Sequence, residues 1–294
     1  MTSKGRTFIR RFASTITLWV IILGSILSGN EIAFFCLLTA LPLVGLWEYF
    51  NMLRGAGIPH HPLTGMLTAA IFLAGSFLYS RTVGPDDGFG FTLAVIVLFL
   101  LIVFARQMFI AIRDKEPLEA TAYTLFGLIY IPWLYNFLIK LLFLFPRDDT
   151  GALTGQYYIL YLLLVTKFTD MGAYCFGVIF GRHKFAPHIS PAKTWEGILG
   201  ALFTAIAGSY GLYLLIPDKL AVLSWFDLPI LGLLLGVVAI VGDLAESIIK
   251  RSTNAKDSSH VLPGIGGTLD LIDSVLFTAP VFFFYLRFVC GVGL

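Results

Sequence analysis

Three aspartates, Asp243, Asp270 and Asp273, flank the longest polar run of an otherwise apolar chain. From Val241 to Asp273 it reads VGDLAESIIKRSTNAKDSSHVLPGIGGTLDLID. Carboxylate oxygens are the hard ligands that magnesium and similar divalent cations take. Between the acids stand Lys250, Arg251 and Lys256, with Asp257 beside them, and then Gly264, Gly266 and Gly267. The cations can hold phosphates, and glycines let main-chain N–H groups approach a ligand closely. The combination suits a phosphate cradle with a bound cation. Three carboxylates brought together repel unless they are protonated or metallated. Helix capping is the plainer role for Asp270 or Asp273, each near a predicted helix start, but it leaves Asp243 unexplained.

A second polar stretch, GRHKFAPHISPAKTWEG, carries Arg182, His183, Lys184, His188, Ser190, Lys193, Thr194 and Glu196. Ser190 or Thr194 suits the N-cap of the apolar helix that follows, and helix N-termini also attract phosphate. Charge in hydrocarbon costs about 2.5–3.5 kcal/mol on insertion scales, so acids within apolar segments call for partners. Lys167 and Asp170 sit one helical turn apart, as do Asp243 and Glu246, and Asp270 and Asp273. Glu48 lies near the end of its own apolar segment, in LWEYF.

The elements that must position these groups are helices in a bilayer. Hydrophobic residues make up 57% of the chain and charged ones only 13%, too little polar surface to cover a water-soluble fold of this length. With about 20 apolar residues needed per crossing, nine spans are predicted: 14–29, 31–52, 63–80, 91–112, 119–145, 155–180, 195–216, 227–249 and 272–293. The fifth is expected to tilt or break near Pro132. Lysine and arginine concentrate on one set of loops, including 181–194 and 250–271, and the positive-inside rule puts these and the N-terminus in the cytoplasm. The fold class is therefore an all-α polytopic membrane protein, with residues 1–150 as scaffold and 151–294 as the catalytic region. Trp47, Trp133, Trp195 and Trp225 fall near predicted span ends, as interfacial anchors do. PDDG at 85–88, PRDDTG at 146–151 and His60-His61 read as turns. Cys36, Cys175 and Cys290 stand singly, with neither disulfide nor zinc spacing.

Ser247 to Ser259, SIIKRSTNAKDSS, followed by LPGIGGTLDLID from Leu262, resembles the C-terminal signature of the phosphatidate cytidylyltransferase (CDP-diacylglycerol synthase) family. FTDMGAYCFGVIFGRHKFAPHISPAKTWEG, from Phe168, is similar to that family's other cytoplasmic segment. The resemblance covers roughly residues 168–290. It implies CTP and phosphatidic acid as substrates, CDP-diacylglycerol and pyrophosphate as products, magnesium with a second cation left open, a homodimer and no nucleic-acid partner. The expected location is a bacterial inner membrane with the site facing the cytoplasm. Asp243 and Asp270 would be the main metal ligands, with Asp273 beside them. Lys250, Arg251 and Lys256 would hold the triphosphate, and Gly266-Gly267 would offer close main-chain approach. Ser190, Lys193, Thr194 and Asp257 would position nucleotide or lipid phosphate, and Asp170 would support the site.

Two positions depart from the family pattern, which usually reads P-G-H-G-G and L-D-R-x-D. Ile265 replaces the histidine and Leu271 the arginine, with His260 available as a substitute group. The departures keep another lipid kinase or cytidylyltransferase that uses CTP open. A transporter working through the intramembrane acids is the reading from a different class. No inverted pair of glycine- or proline-broken spans favours it.

Overall fold

The computed structural model describes residues 17, 19–26, 28–84, 88–109, 115–148, 151–255, 258–259 and 266–293. After a helical stretch at 19–26 come α1 (Glu31–Gly55), α2 (Pro62–Thr82), α3 (Gly88–Gln107) and α4 (Glu116–Leu128). A π-helical turn, Ile129–Trp133, leads into α5 (Leu134–Phe143) and then α6 (Gly155–Phe180). Strands β1 (Lys184–Ala186) and β2 (Ser190–Thr194) precede α7 (Trp195–Leu215), a 3-10 turn (Pro217–Leu220), α8 (Asp227–Ser252) and α9 (Thr268–Phe288).

Among the described residues eight helices are long and apolar enough to cross a bilayer, counting α4, the π turn and α5 as one. The chain is an all-α integral membrane protein with one small antiparallel hairpin. Of the nine predicted spans, the first (14–29) is described only in part, at residues 17, 19–26 and 28–29. Apolar side chains point outward, as lipid requires: Leu63, Val178 and Leu215 are 73%, 68% and 78% exposed.

Several helix ends differ from expectation. α8 continues to Ser252, so Lys250 and Arg251 occupy its last turn rather than a loop. Cations there complement the partial negative charge of a helix C-terminus. α9 begins at Thr268, which places Asp270 inside its first turn. The polar connection is therefore shorter than 250–271. The break expected at Pro132 is the π turn. Proline has no N–H to donate, and its ring would strike the carbonyl four residues back. Widening the ladder avoids the collision, and Leu134 N–H reaches Ile129 O. Trp133 sits in this turn and lines a small apolar cavity with Phe72, Phe99 and Leu128, so it is not at a span end. The 146–151 stretch turns as expected, Gly151 and Ala152 N–H donating to Asp148 O and Oδ1 at 2.8 and 2.9 Å. Residues 85–87 of the other acidic turn lie outside the described residues.

The chain divides into two compact units. The first holds residues 1–143 together with 252–272. Asn30 caps α1, its Oδ1 accepting from Ile32 N–H at 2.9 Å. Glycines set its helix crossings: a Cβ on Gly65 would stand 2.6 Å from the Phe50 ring, and one on Gly127 would stand 2.6 Å from Tyr49. Tyr49 is buried and spends its hydroxyl on Tyr123 O at 3.0 Å. His60 and His61 form a turn, His60 Nδ1 lying 2.8 Å from Ile58 O. Burial, then the charge of Arg106 and then His60, hold His61 below the ordinary imidazole pKa.

The second unit holds residues 144–251 and 273–294. α6 and α7 pack main chain to main chain, since a Cβ on Gly172 would lie 2.7 Å from Gly200 O. Thr204 completes the contact by donating to Phe168 O at 2.8 Å. α8 approaches α7 through Gly232 and Gly236, and approaches α9 through Gly242, where a Cβ would stand 2.8 Å from Asp273 O.

Candidate active site

Within the second unit, the hairpin and four helices, α6 to α9, gather the polar side chains. Thr194 ends β2 and caps α7, its hydroxyl accepting from Gly197 N–H at 3.2 Å. Glu196, in the next turn, reaches back to His183 Nδ1 at 2.6 Å and to Arg182 N–H at 3.1 Å, clasping the base of the hairpin. Ser190 pairs in register with Ala186 and Thr194 with Lys184. Lys193 lies between them on β2, and its Nζ is 2.8 Å from Asp243 Oδ2 on α8. Arg251 Nε donates to Ile189 O at 3.4 Å, a second tie from the end of α8 to the hairpin. The second polar stretch and the 241–251 part of the first therefore meet.

The missing side chain of Gly242 lets α8 lie against the α9 main chain at Asp273 and Ser274. Its neighbour Asp243 is thereby held close to Asp273, which is buried and accepts from Ser274 N–H at 2.5 Å. Lys167 Nζ is 2.9 Å from Asp170 Oδ2, the pair expected from their spacing. Lys167 also interacts electrostatically with Asp273 and Asp243. Three carboxylates thus share two ammonium groups, those of Lys167 and Lys193. The site is graded in exposure: the Asp170 and Asp243 side chains are 38% and 39% accessible, whereas Asp273 is covered. Lys250 is paired with buried Glu246 at 2.5 Å.

The first unit holds the start of α9 and the end of the signature connection. Gly266 adopts φ +124, a left-handed conformation open to glycine. Gly267 follows, its N–H donating to Asp270 Oδ2 at 2.7 Å, while Ser258 Oγ donates to the same oxygen at 2.7 Å. This is the reciprocal half of a capping box, the acid of the first turn reaching back to the residue before the helix. The forward half comes from another helix. Glu48 of α1 is fully buried and accepts from Thr268 N–H and Leu269 N–H, each at 2.8 Å. Ser259 Oγ donates to Glu48 Oε1 at 2.5 Å and Ser258 Oγ to Oε2 at 3.3 Å. A Cβ on Gly267 would stand 2.6 Å from Glu48 Oε2, so the glycine is what gives this carboxylate room.

Glu48 and Gly242 were not candidate functional residues on sequence; Glu48 in LWEYF and the Gly242-Asp243 pair were the available signals. Lys256, Asp257, His260, Gly264 and Ile265 lie outside the described residues. Among the described residues no three histidine, cysteine or acidic side chains close into a metal-binding group. The donor chemistry nevertheless suits a hard cation, because Asp170, Asp243 and Asp273 offer only carboxylate oxygens.

The family model described as "Cytidylyltransferase family" matches residues 9–289. The uncharacterized protein YnbB of Escherichia coli is 38% identical over 167 residues, covering 57% of this chain and 51% of YnbB. The matched region thus spans about half the length of that relative. Phosphatidate cytidylyltransferase of Chlamydia pneumoniae is 33% identical over 83% of this chain and 79% of that protein. The enzyme of the same name from Bacillus subtilis is 30% identical over 96% of this chain and 97% of its own length. With the family pattern running nearly end to end, the chain belongs to the cytidylyltransferase family.

Proposed function

We propose that the chain transfers a cytidylyl group from CTP to phosphatidic acid, forming CDP-diacylglycerol and releasing pyrophosphate. A phosphate oxygen of the lipid attacks the α-phosphorus of CTP, and the bond from that phosphorus to the β-phosphate bridge breaks. The lipid phosphate is already an anion near neutral pH, so the chemistry calls for screening of charge rather than for a strong base. The Lys193–Asp243 contact carries the reading, since it sets a phosphate-binding cation and a metal-type acid side by side. Relatives that bear the enzyme's name and align over most of the chain support it.

Asp243, Asp270 and Asp273 are the proposed ligands of a divalent cation, magnesium by preference, with a second cation open. Such a cation, when bound, supplies Lewis-acid stabilisation of charge on the phosphoryl oxygens. Lys193, Lys250, Arg251 and Lys256 hold the phosphates of CTP, and Ser190, Thr194 and Asp257 position the nucleotide or lipid head group. Gly266 and Gly267, having no side chains, let the ligand approach the main chain closely, and Asp170 keeps Lys167 in place. The acyl chains stay in lipid while the head group meets water-borne CTP at the cytoplasmic boundary of an inner membrane. The protein works as a homodimer.

The test is purified protein in detergent with CTP, phosphatidate and magnesium, followed by pyrophosphate release and by the lipid product. CTP-dependent turnover of phosphatidate supports the reading, and none under any lipid or metal condition overturns it. Turnover of a different lipid phosphate only would redirect the acceptor assignment to the consequences of Ile265 and Leu271. Solute flux in proteoliposomes without CTP use would favour a transporter.

A further inference from the structure

A carboxylate with no solvent exposure and, among the described residues, no cation partner needs strong compensation. Glu48 finds it in four groups, two at each oxygen, three of them full donors and the fourth, Ser258, sharing its one proton with Asp270 Oδ2. Oε1 takes Thr268 N–H and Ser259 Oγ, while Oε2 takes Leu269 N–H and Ser258 Oγ. Two of the four are first-turn amides of α9, which no residue within the helix can satisfy. They carry the partial positive charge of the helix N-terminus, so a carboxylate is the best-suited acceptor. The other two belong to the last serines of the signature connection. One buried side chain therefore ties together both ends of the stretch that contains the glycine turn, with Asp270 one residue beyond it.

We propose that Glu48 is a positioning residue for cytidylyl transfer, fixing the connection at Ser258-Ser259 and the first turn of α9 so that Gly266, Gly267 and Asp270 are pre-arranged for the nucleotide. The proposal rests on the reading of the protein as a CTP-using transferase. Glu48 itself touches no substrate. It acts through the groups it holds, as an outer support acts on the ligands it orients. Shape makes the requirement strict. Glu48→Asp is one methylene shorter and cannot span both amides. Glu48→Gln keeps the length but turns an N–H₂ toward an amide N–H, setting donor against donor.

The experiment uses the full chain in detergent and compares wild type, Glu48→Gln and Ser259→Ala. Thermal unfolding is measured first, then kcat and KM for CTP at saturating phosphatidate, then KM for phosphatidate. Hydrogen exchange of peptides covering 266–275 reports on the α9 amides. For Glu48→Gln the expected result is a 10- to 100-fold loss in kcat/KM for CTP, an unchanged KM for phosphatidate and faster exchange at Thr268 and Leu269. Ser259→Ala removes one donor and leaves the carboxylate on the helix, so it should lose about 3- to 10-fold in the same parameter without a change in melting. If Glu48→Gln does not fold, the Ser259→Ala result decides alone. Wild-type kcat/KM for CTP in the folded variants, or an equal fall in the parameters of both substrates, overturns the positioning role. A wild-type protein that turns over no CTP overturns the transferase reading instead, with the exchange data still reporting the cap.

Discussion

Lys193 and Asp243 lie on a hairpin strand and on a transmembrane helix, and their side-chain charges are 2.8 Å apart. The contact links a nucleotide-type cation to a metal-type acid in one unit. In the proposed reaction each group would hold the other in place until phosphate and cation arrive to take its place as partner. Lys193→Met and Asp243→Asn should each lower CTP turnover by about 100-fold or more while the protein still folds, because both remove charge at the phosphates. The double variant should be little worse than either single one, as groups acting as a unit behave. Pyrophosphate release on the three purified variants gives the answer, and near-wild-type rates would remove both from the site.

Chelation provides an independent check of the cation. Turnover should vanish in excess EDTA and return on adding magnesium. In Asp273→Asn the magnesium concentration for half-maximal rate should rise about tenfold or more, since one of three oxygen donors is lost. Full activity in EDTA would remove the metal assignment.

The α6–α7 crossing makes a prediction about stability. Gly172→Val places its Cβ against Gly200 O, a main-chain atom that cannot rotate away. A loss of about 2–3 kcal/mol is expected, seen as a clear drop in melting temperature in detergent. Gly211→Ala, on the same α7 but with open space around it, should be neutral or up to about 1 kcal/mol stabilising. Equal behaviour of the two would show that the crossing is not limited by main-chain contact.

Cys290 gives a pH-dependent signature outside the membrane-spanning helices. Burial first, and then the Asp227 carboxylate, push its thiol up from 9.0 to about 11. A raised thiol pKa means less thiolate at neutral pH, here by about a hundredfold, and thiolate is the form that alkylates. Maleimide labelling of Cys290 should be slow at pH 7 and should still accelerate above pH 9, where an ordinary thiol levels off. Asp227→Asn should speed it at pH 7. Labelling at the rate of a free thiol would contradict the burial of this group.

Hydropathy was enough to find the eight spans seen among the described residues, because a bilayer imposes one length on every crossing. Residue chemistry and spacing located the break at Pro132, the Lys167–Asp170 pair and, with Ser190 as the other candidate, the Thr194 cap. The helix ends at Ser252 and Thr268 escaped them, since charged residues suit a helix terminus as well as a loop. The hairpin escaped too, its strands being only 3 and 5 residues long and too short to show alternation. The role of Glu48 was hidden for a stronger reason. Its partners lie more than 200 residues away, and no periodicity in one sequence connects such positions.

The dependence of α9 on Glu48 bears on how this protein can be cut, swapped or inherited. Its C-terminal signature is not a portable cassette: detached from α1, it would begin with two open amides and a glycine that offers them nothing. Any recombination between relatives that exchanges the C-terminal half must carry a matching acid on the early helix, or the new junction starts life with a frayed end.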